Sequence, residues 1–210
     1  ETLSSLPEGE RPTIYILDDA FQHRTITPYR SILLVDYNRP IFKDYLLPIG
    51  RLRDLPQRIS AADIVIVTKT PWYEESPDIS YWRNSLKLKE YQDLYFSKIE
   101  YCDLHPLFPQ ECDTRYLYSQ KAILFSGIAN NRLFIDHFAG QYTIDKVFSF
   151  SDHRDFTDGD IKKIIDSSLQ HPTAVVITTE KDAQRLRYHP SLSNELKERL
   201  FYIEIKVSIL

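Results

Sequence analysis

The chain has 210 residues, 42% of them hydrophobic, with 26 basic against 30 acidic side chains and a net charge of −4. Such a length buries one large core or two small ones, and the slight acidity excludes a global cationic field of the kind that gathers nucleic acid. No apolar run reaches the roughly 18 to 20 residues that span a bilayer, and no basic segment followed by an apolar stretch opens the chain, so as given it reads as soluble.

Taken in order, short β-branched or aromatic runs predict strands at Thr13–Leu17, Ile32–Asp36, Asp63–Thr68, Ala122–Ser126, Thr173–Thr178 and Phe201–Val207. Several are apolar on both faces, the habit of parallel strands in a sheet covered on both sides. Leu94–Tyr101 alternates in part as a strand does, and His105–Cys112 (HPLFPQEC) is broken by prolines. A hinge is expected near residues 95–118, with one domain over residues 1–100 and a second over residues 101–210. Helical spacing marks Asn131–Ala139 and Asp160–Leu169; Thr157 with Asp160 has the spacing of a capping box, and Thr179 with Asp182 repeats it. Cys102 and Cys112 are too few for a disulfide framework, and with His105 they offer three ligands where structural zinc takes four, so both are expected to be ordinary thiols.

Three stretches carry chemistry. In LDDAFQHR, Asp18 and Asp19 follow an apolar run, and in an open α/β sheet ligands bind beyond the carboxyl ends of strands. Two adjacent carboxylates there have the chemistry of a magnesium site completed by phosphate oxygens and water, with Gln22 able to add a ligand or orient water. The alternative is that one aspartate caps a turn while Gln22, His23 and Arg24 face solvent. In FSDHRDF, His153 between carboxylates suits proton transfer, or is a surface imidazole in a loop leading to the helix capped at Thr157. In LLPIGRLRDLPQR, Gly50 loosens the backbone, and Arg51, Arg53 and Arg58 present forks suited to phosphate or form surface ion pairs with Asp54.

In this order LDDAFQHR, LLPIGRLRDLPQRISAAD, IVTKTP, FSGIANNRLF, FSDHRDF and TTEKDAQRL resemble the tetraacyldisaccharide 4'-kinase family of lipid A biosynthesis, over residues 12 to about 207. The resemblance implies an α/β fold: part of a P-loop NTPase-like three-layer core, plus a second, smaller α/β domain on an extended linker. It implies phosphoryl transfer from ATP, with Mg2+, to the 4'-hydroxyl of tetraacyldisaccharide 1-phosphate, forming lipid IVA. Asp18 and Asp19 then stand near magnesium and the phosphates, with Gln22 and His23 completing that environment, and Thr68 and Lys69 fall where related P-loop proteins read the base. His153, preceded by Asp152, matches the first histidine of a DHH-like motif whose second histidine is here Arg154. Arg51, Arg53 and Asp54 match an LPAGPLREP segment that faces the acceptor, with Asp54 where the family usually has Glu. Ala20 replaces a usual Gly, and Thr179, Glu180 and Lys181 fall at a TEKD signature.

The five glycines, at positions 9, 50, 127, 140 and 159, form no G-x-x-x-x-G-K-[ST] cradle. By the resemblance that cradle, a catalytic aspartate and a membrane-associating helix lie upstream. The expectation is therefore a truncated, inactive chain whose parent works at the cytoplasmic face of the bacterial inner membrane, with glycolipid and ATP as partners and no nucleic acid. Two rival readings stay open: a metal-dependent phosphohydrolase using Asp18, Asp19, His23, Asp152 and His153 around two ions, and a non-catalytic nucleotide- or lipid-binding module.

Overall fold

The structure, a computed structural model, describes residues 14–210 apart from residues 24, 72, 153 and 154. The chain divides into two compact units, one running to Lys98 and including Ile209–Leu210, the other Ile99–Ser208.

In the first unit the strands are β1 (Ile32–Asp36), β2 (Ile64–Thr68) and the start of β3 (Asp93–Pro106), paired in parallel in that order. Helix α1 (Ile79–Leu86) returns the chain from β2 to β3, and its N-cap Asp78 accepts the Tyr81 N–H at 2.9 Å. Val35, Val65, Val67 and Phe96 bury one face of this sheet against Trp82 and Leu86 of α1, while Ile32, Leu34 and Tyr95 on the alternate positions stay exposed. Buried Gln92 secures the turn into β3: its Nε2 donates to the carbonyls of Ile59 and Ala62, both at 2.8 Å, and its Oε1 accepts from the Lys89 N–H.

The expected strand at Thr13–Leu17 does not form over the described residues 14–17. An isolated extended run leaves its backbone donors and acceptors unpaired, so it needs a neighbouring strand. Among the described residues β1 is the last strand on that edge, and Ile14 and Ile16 are 76% and 90% exposed.

The second unit continues β3 beside β7 (Leu200–Ile209), then β6 (Val175–Thr179), β4 (Lys121–Ser126) and β5 (Thr143–Ser149). β6 and β7, β4 and β6, and β4 and β5 pair in parallel. Alternation decides which layer each side chain joins. Ile123 and Phe125 of β4 and Val176 of β6 pack with Ile161 and Ile164 of α3 (Asp158–Gln170), Leu186 of α4 (Glu180–Leu186) and Leu196 of α5 (Asn194–Lys197). Ala122, Leu124, Val175 and Ile177 pack on the other face with Phe134 and Phe138 of α2 (Arg132–Ala139). A three-layer sandwich results, as unbroken apolar strands require.

The capping box at α3 is complete, since Thr157 Oγ1 accepts the Asp160 N–H at 3.2 Å and Asp160 Oδ2 accepts the Thr157 N–H at 3.1 Å. Both cysteines are free thiols, and burial pushes the Cys112 thiol up.

Candidate functional site

Asp18 and Asp19 occupy a turn, not a strand end. Asp19 adopts φ 49°, in the left-handed region that aspartate tolerates better than most residues, and its N–H donates to Asp18 Oδ1 at 2.9 Å. The turn closes when the His23 N–H donates to the Ala20 carbonyl at 2.9 Å. Ala20 lies outside the left-handed region, so its methyl adds no backbone strain there. Gln22 and His23 are exposed beside it.

The arginine loop meets this turn at two points. Arg53 forks onto Asp19, with Nη2 to Oδ1 at 2.7 Å and Nη1 to Oδ2 at 3.2 Å. Arg58 lies over the Phe21 ring at 5.7 Å, donates from Nη2 to the Phe21 carbonyl at 3.3 Å, and holds Nε 3.2 Å from Asp54 Oδ2. Asp18, Asp19, Arg53 and Asp54 are thereby brought together from segments more than thirty residues apart. Arg51 contributes its backbone: its N–H donates to Asp44 Oδ1, which also takes the Tyr45 N–H, while Arg39 bonds Asp44 Oδ2. These donors, the Tyr45 N–H first, hold the Asp44 carboxyl below the usual carboxylate range.

Gly50 does not loosen this loop, as the sequence suggested, but permits a close approach. It has no positive φ, yet a Cβ there would lie 2.1 Å from the Tyr45 carbonyl oxygen and 2.5 Å from Asp44 Oδ1. No side chain fits.

The Arg53 guanidinium beside Asp19 holds that carboxyl below its ordinary value and raises the arginine in turn, so Asp19 is ionised at neutral pH. A depressed folded value means that the pair's contribution to stability is present above the unfolded pKa and is lost as pH falls through the folded one. Arg53→Ala is expected to raise the Asp19 titration, followed by carbon-13 NMR, toward the ordinary carboxylate range. An unchanged titration would refute the assignment of the shift to Arg53.

Parallel pairing sets Asp36 of β1 opposite Thr68 of β2 at their carboxyl ends. Lys69 follows at φ 60°, and its Nζ reaches Asp36 Oδ2 at 2.6 Å, while Thr68 Oγ1 donates to the Val35 carbonyl at 3.4 Å. A left-handed lysine at a strand end is a conformation that surrounding structure must hold, and the ion pair with Asp36 is one such hold.

In the second unit three motifs converge at the carboxyl ends of β4, β5 and β6. Thr179 caps α4, accepting the Asp182 N–H at 3.2 Å. Asp182 does not complete a capping box as its spacing suggested: fully buried, it accepts the Gly127 N–H at 2.9 Å and the Thr179 hydroxyl at 2.7 Å on Oδ2. Its Oδ1 lies 3.6 Å from Arg185 Nη1, a charge pair rather than a hydrogen bond. FSG and TEKD are thus joined by one carboxylate. SDHRD joins them through Asp152 Oδ1, 2.9 Å from Lys181 Nζ, and through the Phe150 N–H on the Ser126 carbonyl at 2.9 Å. His153 and Arg154 lie outside the described residues.

Sequence reasoning missed the roles of Asp182 and Lys181, although the Thr179–Asp182 spacing was a visible signal. Among the described residues no group of three His, Cys, Asp or Glu converges as a metal centre.

The family described as tetraacyldisaccharide-1-P 4'-kinase matches residues 1–209. The tetraacyldisaccharide 4'-kinase of Bacteroides thetaiotaomicron is 39% identical over 224 residues, covering 100% of this chain and 58% of the relative. That of Porphyromonas gingivalis is 36% identical over 214 residues, covering 99% and 59%. The crystal structure of LpxK from Aquifex aeolicus in complex with ATP superposes with TM-score 0.58 at 25% identity, over 92% of this chain and 52% of that one. This chain therefore spans somewhat under two thirds of the length of these curated relatives. With the α/β architecture and the motif contacts above, these matches place the chain in the tetraacyldisaccharide 4'-kinase family.

Proposed function

We propose that the protein takes part in transferring the γ-phosphoryl group of ATP to the 4'-hydroxyl of tetraacyldisaccharide 1-phosphate, the reaction that forms lipid IVA. The observation that carries this reading is the forked Arg53–Asp19 contact, which joins two motifs of the matched family at one point. Phosphoryl transfer asks a protein mainly for positioning and for charges aimed at the phosphate oxygens. Adjacent carboxylates and a cluster of guanidinium groups are such charges.

Magnesium is usually held by one or two carboxylates completed by water and phosphate oxygens. Asp18 and Asp19 fit that mode: they are adjacent, exposed oxygen donors, and Arg53 keeps Asp19 ionised. A magnesium ion held by Asp18 and Asp19 would supply charge neutralisation for the phosphate oxygens. Gln22 and His23 border these carboxylates, Thr68 and Lys69 take the nucleotide side, and Arg51, Arg53 and Asp54 take the anionic acceptor. Asp152 positions the segment of His153, which assists removal of the sugar hydroxyl proton.

The 210 residues hold no G-x-x-x-x-G-K-[ST] cradle, so we assign the transfer to this chain together with such a cradle supplied outside it. The acceptor carries four acyl chains, and at about 0.8 kcal/mol per buried methylene such a lipid stays in a bilayer. This supports work at a membrane surface, and the use of ATP as donor points to the cytoplasmic face of the inner membrane. No helix among the described residues is long and apolar enough to cross a membrane.

The test is transfer of labelled γ-phosphate from Mg-ATP to a tetraacylated disaccharide 1-phosphate, comparing this chain with a longer protein that carries the cradle. Transfer is expected only in the longer protein and is expected to fall about 100-fold or more with Asp19→Asn or His153→Ala. Transfer by the shorter chain would overturn the need for a cradle. Hydrolysis of simple phosphoesters without nucleotide would favour a phosphohydrolase instead.

A further inference from the structure

Lys181 stands in the first turn of α4, and its Nζ lies 2.9 Å from Oδ1 of Asp152, 29 residues earlier in the loop after β5. The two side chains are 43% and 29% exposed, a setting in which an ion pair adds little to the stability of a fold. A cation at a helix N-terminus also opposes the helix dipole. α4 has no need of the contact for its own stability. Thr179 caps it, Asp182 ties it to Gly127, and Ala183 and Leu186 are buried beneath it.

What the pair does achieve is placement. The loop is fixed before Asp152 by the Phe150 N–H on the Ser126 carbonyl, and after it by the Thr157 cap of α3. Between these anchors Lys181 fastens Asp152, the residue next in sequence to His153, to a helix that is itself rigidly seated.

We infer that Lys181 is a positioning residue, which sets where Asp152 stands near the carboxyl ends of β4 and β6. The kinetic arm of its test rests on the phosphoryl-transfer reading; the structural arm rests on the ion pair alone.

In the longest active form of the protein, Lys181→Met keeps the apolar stem and removes the charge. It is expected to lower kcat about 10- to 100-fold, since displacements of about an ångström remote from the reacting atoms cost that much, with KM for ATP and Tm unchanged. Lys181→Arg is expected to retain most of the rate. In Lys181→Met, the backbone of Asp152 should lose order by NMR relaxation while that of α4 does not, and the exchanged pair Asp152→Lys with Lys181→Asp should recover it. Unchanged order at Asp152 would overturn the inference, and so would a fall in Tm parallel to that in kcat, which would make Lys181 a stability residue. If the unsubstituted protein transfers no phosphate, the kinase reading fails while the relaxation measurements still decide the positioning role.

Discussion

Alanine at position 182 is expected to destabilise the second unit by about 3–5 kcal/mol, the cost of removing one partner from a buried, hydrogen-bonded charge pair. The Asp182 carboxylate is fully buried; its loss strands the Gly127 N–H and the Thr179 hydroxyl, and takes from the Arg185 guanidinium its pairing with this carboxylate. Asp182→Asn should cost less, because an amide oxygen still accepts from Gly127 while only the charge is lost. Chemical denaturation followed by circular dichroism, with amide exchange in β4 and β6, measures both. A loss under about 1 kcal/mol for Asp182→Ala would mean that water replaces the carboxylate and that the contact is peripheral.

Trp82→Ala is expected to cost the first unit a similar 3–5 kcal/mol, the usual range for deleting a buried large aromatic. Trp82 is 5% exposed and, among the described residues, touches the rings of Tyr37 at 5.3 Å, Phe42 at 5.7 Å, Phe96 at 6.0 Å and Tyr81 at 6.1 Å between centroids. Its removal opens a void between α1 and the strands β1, β2 and β3 that those rings cannot collapse to fill. Exchange in β1 and β2 should rise while β4 and β6 keep their protection. Equal loss in both sets of strands would show that unfolding of the two units is one cooperative event.

Much of the second unit was legible in the sequence because its strands are apolar on both faces. Ala122–Ser126 reads as a buried strand, and each of its alternating side chains finds a helix layer. The Thr157–Asp160 box was legible for a similar reason, since its partners are three residues apart and both ends of the interaction are local. Residues 14–17 misled because periodicity reports only a strand's own side chains, whereas its existence depends on a neighbour contributed from elsewhere in the chain. Asp182 misled in a subtler way. Its spacing from Thr179 was right for a cap, but the carboxylate is claimed by the Gly127 N–H, 55 residues away. Gly50 was noticed for its flexibility, while its importance lies in a carbonyl oxygen 2.1 Å from where its Cβ would stand. For the site itself, sequence named Asp19 and Arg53 as separate candidates; only the fold shows one holding the other.

The place of β4 between β5 and β6 has a consequence for synthesis on the ribosome. Its β5 partner follows closely, with Lys121 opposite Thr143, but on the other edge Ala122 waits for Val175, a separation of 53 residues (175 − 122). At translation rates of about 5–20 residues per second that edge stays open for roughly 3 to 10 s. During this interval the apolar side chains of β4 have no second neighbour, so the emerging half-sheet is a substrate for chaperones and a point of self-association until TEKD and the strand before it leave the exit tunnel.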